Sequence, residues 1–431
     1  MSKNKLSQPE VKALQSEYMM PCIPMYYKEP LLLTHGEGKY VWDSEGTQYL
    51  DFFCGILTTM LGHSHPKVNA AVKGQIDKLQ HTSTLYYTEP MALLAERMAK
   101  ITPGGLKKSF FTSSGTEADE TAVMLAKNYT GREEFIVLRH SYSGRSSLAM
   151  AMTGNHVWRQ AGNLIPGIKH ALSPYCYRCP MHLTYPACEC ACAHDLEELI
   201  QTTTNGKIAG MLAEPIQGVG GFVTPPKEYF KIVADIVHKY GGIFIADEVQ
   251  TGFGRTGGKM FGIEHWGVEP DVMTFAKGFA NGFPIGGTIA TEEVANKMTG
   301  FTIATFGGNP ISSTAALAVL DVIEEEKLVK HVEVVGNYFF DKLYELQAKY
   351  PKMIGDVRGK GLMIGVEIVK EDKQPDPATV LKLFESTREQ HLLIGKGGLW
   401  GNTLRITPPL QITKGDVDDA VKILDKAFGE V

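Results

Sequence analysis

Gly242-Ile243-Phe244-Ile245-Ala246-Asp247-Glu248-Val249-Gln250-Thr251-Gly252-Phe253-Gly254-Arg255 is the stretch on which the fold turns, together with Asp271-Val272-Met273-Thr274-Phe275-Ala276-Lys277-Gly278. Ile243–Ala246 follows two glycines and is short and apolar, which predicts a buried strand ending at Asp247. Val272–Ala276 predicts a second one, ending at Lys277. A carboxylate and a lysine at the ends of neighbouring buried strands are costly unless something charged lies between them. In open α/β sheets, ligands bind outside such strand ends.

An ion pair beside glycine turns would satisfy the same residues without a ligand. The chemistry of the pair points further. A buried lysine loses its proton more readily, which makes it a good Schiff-base amine. A carboxylate facing a pyridine nitrogen keeps that nitrogen protonated and turns the ring into an electron sink. The pair therefore suits pyridoxal 5'-phosphate (PLP), provided that a phosphate site exists elsewhere.

That site has one candidate. Lys108–Thr112 predicts a strand, and Ser113-Ser114-Gly115-Thr116-Glu117-Ala118 turns directly into a helix over Asp119–Tyr129. Small residues let the backbone approach an anion, and a helix start supplies free N–H groups and the positive end of the dipole. The hydroxyls of Ser114 and Thr116 can add hydrogen bonds. An ordinary Ser/Thr helix cap explains the same turn without a ligand.

Around these runs the chain alternates strands and helices. Glu134–Arg139, Lys207–Ala213 and Ile285–Ala290 predict further strands, and Tyr229–Tyr240 and Ile311–Glu325 predict helices. Near the N-terminus, Lys3–Met20 predicts an amphipathic helix, and Gly36–Asp43 with Gln48–Phe52 predicts a two-stranded hairpin. His63 and His65, beside Pro66, read as capping or packing residues of a helix rather than metal ligands. After a helix over Lys330–Lys349, strands at Ile354–Arg358, Leu362–Val369 and Leu404–Ile406 alternate with helices at Ala378–Gln390 and Lys414–Phe428, an α+β pattern.

With 431 residues, the chain exceeds one simple core and predicts a large domain plus a smaller one. A net charge of -5 gives no electrostatic case for nucleic acid or an anionic membrane surface. No segment approaches the ~20 apolar residues that span a bilayer. Met1-Ser2-Lys3-Asn4-Lys5 leads into a polar run without a signal core or an arginine-rich transit pattern, so a cytoplasmic location is expected. Five of the seven cysteines (Cys176, Cys179, Cys188, Cys190, Cys192) crowd into 175–192. A zinc-bound loop is one reading. The irregular second half favours a reduced, thiol-rich loop, and no metal site is assigned.

With these pieces placed, the sequence resembles the class III aminotransferases, of PLP fold type I. Five blocks carry the resemblance in the family's order: Ser113–Ala118, Glu214-Pro215-Ile216-Gln217-Gly218, Ile245–Arg255, Ala276-Lys277-Gly278 and Thr305-Phe306-Gly307-Gly308-Asn309-Pro310. Val357–Gly365 and the cysteine-rich insert look like the branch of mitochondrial-type alanine–glyoxylate aminotransferases and their bacterial amine–pyruvate relatives. The resemblance implies an α/β fold whose large domain holds a mostly parallel seven-stranded sheet. It also implies a smaller α+β domain from the N- and C-terminal segments. The division expected is 1–62, 63–325 and 326–431.

The resemblance also implies roles. Lys277 would hold PLP covalently and move the proton. Asp247 would pair with the ring nitrogen, Gln250 would lie near the phenolic oxygen, and Tyr142 would stack on the ring. Ser114, Gly115 and Thr116 would bind the phosphate. Thr305 would reach the phosphate of a neighbouring subunit, which makes a homodimer the minimum active unit, with a homotetramer as the larger option. Arg405 aligns with the arginine that grips a substrate carboxylate, and Glu214 with a residue that can pair with that arginine when no carboxylate is present. Many relatives have Tyr-His-Gly where this chain has Tyr142-Ser143-Gly144, so a histidine contact is not expected. The implied reaction is ping-pong transamination from an amino acid or amine to a keto acid such as pyruvate or glyoxylate. A PLP-dependent racemase or aminomutase on the same fold is the alternative.

Overall fold

The computed structural model describes residues 6–160 and 165–431. Its centre is a seven-stranded sheet. In chain order the strands are β1 (Leu106–Thr112), β2 (Phe135–Leu138), β3 (Ile168–Ala171), β4 (Gly210–Ala213), β5 (Ile243–Asp247), β6 (Val272–Phe275) and β7 (Gly286–Thr291). Their order across the sheet is β1-β7-β6-β5-β4-β2-β3. Pairing is parallel from β3 through β6, and β7 is antiparallel to both of its neighbours.

The apolar runs are continuous because both faces of the sheet are covered. Successive side chains of a strand point to opposite faces. Ile243 and Ile245 accordingly join one core cluster, with Val123 and Ala126 of the helix Gly115–Thr130. Phe244 and Ala246 join the other, larger cluster. All four are buried. A strand with one wet face would alternate apolar with polar residues, and neither quoted run does.

Two four-stranded sheets flank this core. In the C-terminal one, Ile354–Lys360, Met363–Ile368, Thr403–Ile406 and Gly395–Gly397 lie side by side, all antiparallel. In the N-terminal one, Gln48–Asp51 pairs in parallel with Leu392–Leu393, which ties the start of the chain to its end. Arg255 adds a buried tie: its guanidinium donates to the carbonyls of Leu362 and Pro408.

Several local expectations need correction. Gly36–Asp43 is not one strand. Leu33–Glu37 and Tyr40–Asp43 fold back on each other around Gly38, whose φ of +54° a glycine adopts without strain. The helix Ala191–Thr203 takes over directly from the cysteine-rich block and carries Cys192 inside it. The N-terminal helix runs Gln8–Tyr18 with no buried residue, and the expected residues 3–5 of it lie outside the described region. His65 does precede the helix Pro66–Ile76, and the His63 ring meets Asp51 at 2.8 Å.

Candidate active site

A cavity of about 320 Å³ opens at the carboxyl edge of the sheet. Asp247, the last residue of β5, and Lys277, two residues past β6, both line it. Glu214 follows β4 directly and lines it too. The parallel register sets Asp247 opposite Thr274. Lys277 holds a left-handed φ of +48°, an uncommon conformation for a side-chain-bearing residue and one that concentrates at functional sites. Burial lowers the Lys277 pKa, against the opposing pull of Asp247, so the amine is eased toward its neutral form. Burial also raises the carboxyl pKa of Asp247, with Val249 N–H and Lys277 pulling it back down.

The helix Gly115–Thr130 starts at the cavity wall. Ser114 caps it: its hydroxyl accepts from Glu117 N–H at 3.3 Å, and the Glu117 carboxylate accepts from Ser113 N–H at 2.8 Å. This reciprocal cap already engages the Ser114 hydroxyl. The N–H groups of Gly115 and Thr116 belong to the first turn, which has no intrahelical acceptors. Gly144, at φ +128°, lies so close that an added Cβ would stand 2.1 Å from Thr116 Oγ1. Ser143 is buried on the same wall, and its Oγ has no partner among the described residues.

Two first-turn N–H groups, the Thr116 hydroxyl and the unpartnered Ser143 hydroxyl form a set of donors that fits a phosphate. A lysine eased toward neutrality and a carboxylate on the adjacent strand fit the pyridine end. The residues present therefore suit PLP. Tyr142 lines the cavity, with its ring edge-on to Trp158 at 5.6 Å between centroids.

One expected contact is absent. Glu214 does not pair with Arg405. Its two oxygens accept from Gly218 N–H at 2.7 Å and Tyr142 N–H at 3.1 Å. Arg405 instead donates from Nη2 to Gln250 Oε1 at 2.8 Å, and its buried Nε has no partner among the described residues. Its guanidinium lies over the Phe222 ring, 4.7 Å from the centroid. Gln250 lines the cavity, with Arg405 behind it. Thr305 is exposed and lies off this wall.

Sequence reasoning passed over Asp119, Ser143 and Thr58, all of which line the cavity. Ser143 was visible only as a missing histidine. Asp119 hid in the acidic start of a helix. Among the described residues no group of three metal-ligating side chains is placed to hold an ion, the cysteine-rich block included. No described helix is long and apolar enough to cross a membrane.

Comparison with known proteins agrees with this geometry. The family model described as "Aminotransferase class-III" matches residues 24–428. The chain is 44% identical over 421 residues to an Arabidopsis thaliana protein named alanine–glyoxylate aminotransferase 2 homolog 2, mitochondrial, covering 97% of this chain and 87% of that one. It is 37% identical over 413 residues to a leucine/methionine racemase of Thermococcus litoralis, covering 93% and 91%. Among solved structures, an amine transaminase from an uncultivated Pseudomonas species in its PLP-bound form superposes with a TM-score of 0.88 at 31% identity, over 100% of this chain and 99% of that one. The Asp247–Lys277 strand ends, the helix start facing them and the full-length family match lead to one conclusion: the chain belongs to the class III aminotransferases and is a PLP-dependent transaminase of fold type I.

Proposed function

We propose that Lys277 is the residue that holds PLP covalently and then moves the proton, that Asp247 faces the ring nitrogen, and that the reaction transfers an amino group from a carboxylate-bearing donor to a small keto acid. The observation that carries this is the opening of Asp247 and Lys277, on adjacent parallel strand ends, into the same cavity as the N-terminus of Gly115–Thr130. When bound, PLP supplies an electron sink for the charge left by proton removal. The protein does the rest. Gly115, Thr116 and Ser143 hold the phosphate, with Ser114 ordering that turn. Tyr142 covers the ring, and Gln250 lies toward its phenolic oxygen. Lys277, eased toward neutrality by burial, would take the proton from the amine-bearing carbon and return it two atoms along, at the cofactor carbon.

Two contacts favour carboxylate-bearing donors over simple amines. Among the described residues nothing pairs with the buried Nε of Arg405, which leaves a donor for a carboxylate. Glu214 is held by two backbone N–H groups, so swinging it across to neutralise Arg405 would strand both. Alanine or an ω-amino acid as donor, with pyruvate or glyoxylate as acceptor, fits this arrangement. The racemase reading differs in needing no keto acid.

Thr305, exposed and off its own cavity, supports a homodimer in which it reaches the partner's phosphate. Exposed Tyr86, Tyr87, Phe301 and Phe306 give such an interface apolar area. The pairing of Gln48–Asp51 with Leu392–Leu393 supports one small domain built from 1–62 and 326–431, beside a large one over 63–325. Seven unpaired cysteines suit a reducing compartment such as the cytoplasm.

Donor titration tests the substrate reading. L-alanine and β-alanine, added without acceptor, are expected to bleach the yellow cofactor band, and 1-phenylethylamine to leave it. Bleaching by all three would overturn the carboxylate requirement. Racemisation of alanine in the absence of any keto acid would favour the alternative activity.

A further inference from the structure

The helix Gly115–Thr130 packs on the central sheet through Ala122, Val123 and Ala126. Asp119 continues that stripe at the helical spacing, so an acid occupies an apolar position. Only 2% of it is exposed. Its Oδ1 accepts a hydrogen bond from Thr274 Oγ1 at 2.8 Å. Thr274 is fully buried and is the register partner of Asp247 across β5 and β6. Asp119 and Asp247 line the same cavity. Two buried carboxyl groups thus converge on one threonine.

From this geometry we infer that Asp119 is a positioning residue: a neutral carboxylic acid that, through its hydrogen bond with Thr274 and its place beside Asp247 in the same cavity, holds Asp247 in place for the ring nitrogen. The inference rests on the placement of PLP proposed above.

The groups facing Asp119 are Asp247 at the end of β5, Thr274 on β6, Glu214 after β4 and Lys277 after β6. Two of these are themselves carboxyls, and Lys277 is the single cation among them. Burial, then the nearness of Asp247, hold the Asp119 pKa well above the ordinary carboxyl range. A neutral acid also has a proton to donate, which an ionised one lacks. Buried like-charged carboxyls resolve their repulsion by keeping one protonated.

The test uses Asp119→Asn, which keeps the shape and a donor but cannot ionise, and Asp119→Leu, which keeps neither donor nor acceptor. The first readout is the Tm of the cofactor-free full chain between pH 5 and pH 8. A carboxyl whose folded pKa is raised stabilises least at high pH, because the unfolded chain releases its proton from about pH 4 upward while the folded one must keep it. Asp119→Asn is therefore expected to have a higher Tm than the parent at pH 8, with the gap closing toward pH 5. An equal or lower Tm for Asp119→Asn at pH 8 would mean that the acid is ionised and would overturn the inference. The second readout is PLP affinity by absorbance titration. Asp119→Leu is expected to bind roughly tenfold more weakly, the loss of one charge-assisted hydrogen bond, and Asp119→Asn to recover most of it. Tight binding by Asp119→Leu would remove the positioning role. Failure of the parent protein to bind PLP would sink the proposed site itself, and the Tm comparison would not register that failure.

Discussion

Arg405 donates to Gln250 across 2.8 Å, while Glu214 is tied to the backbone at Gly218 and Tyr142. The arginine is thus buried and, among the described residues, only partly paired. Arg405→Lys is expected to lower kcat/KM for carboxylate-bearing donors by roughly 30-fold to 100-fold, because a planar fork becomes a point charge and about 2–3 kcal/mol of charge-assisted bonding is lost. Steady-state kinetics with L-alanine and with an uncarboxylated amine checks it. An equal loss for both donors would place the carboxylate elsewhere.

The phosphate wall has no room for a methyl group. Gly144 combines φ +128° with a virtual Cβ 2.1 Å from Thr116 Oγ1. Gly144→Ala is expected to cost about 1–3 kcal/mol in backbone strain and to push Thr116 off the anion site. PLP affinity should fall at least about tenfold, read by absorbance titration. Unchanged affinity would show that Thr116 does not touch the phosphate.

Glu367 is fully buried and anchors the C-terminal sheet against the cysteine-rich insert. It accepts from Arg358, Arg178 and Tyr175, and from Asn402 at 3.3 Å. Burial raises its pKa, but Arg358, Tyr175 and Arg178 together bring it below the ordinary value. Glu367→Gln leaves Arg178 without its carboxylate and Arg358 with Asp356 alone, and is expected to cost about 3–5 kcal/mol in thermal or urea unfolding near pH 7. A depressed folded pKa stabilises above the unfolded value, about pH 4.3, and that stabilisation is lost as pH falls through the folded pKa. The gap between parent and variant should therefore be flat from pH 5 to pH 8 and shrink below about pH 4. A gap independent of pH throughout would exclude the ion pairs as its source.

The cysteines divide by environment. Burial, reinforced by the neighbouring thiols, pushes Cys192 up to about 12, and burial holds Cys54 well above its ordinary value. Cys22 is exposed. Alkylation at pH 7.5 followed by peptide mass mapping is expected to label Cys22 first and Cys192 and Cys54 last, since the thiolate is the reacting form. Rapid labelling of Cys192 would contradict the upward shift that its half-buried setting among thiols imposes.

Much of this site was legible in the residues because local rules and tertiary demands agree there. Ile243–Asp247 and Val272–Phe275 are continuous apolar runs, so both faces had to be covered and their polar ends had to lie at the sheet edge. The turn at Ser114 carries its helix start in its own sequence. Long-range contacts were not legible in the same way. Nothing local says that Arg405 meets Gln250 rather than Glu214, because the choice depends on where Gly218 and Tyr142 place their N–H groups. Asp119 reads as solvated in an acidic stretch until the helix docks and its i, i+3, i+4, i+7 stripe with Ala122, Val123 and Ala126 faces the sheet. The Leu392–Leu393 strand is two residues long, too short for any periodicity to show.

The central claim is that Lys277 carries the cofactor. Reducing the PLP-loaded protein with borohydride and mapping its peptides by mass tests this directly. The expected result is one pyridoxyl-phosphate increment per chain, on the side chain of Lys277. An increment on any other lysine, or none on a protein that nevertheless turns over, would contradict the account.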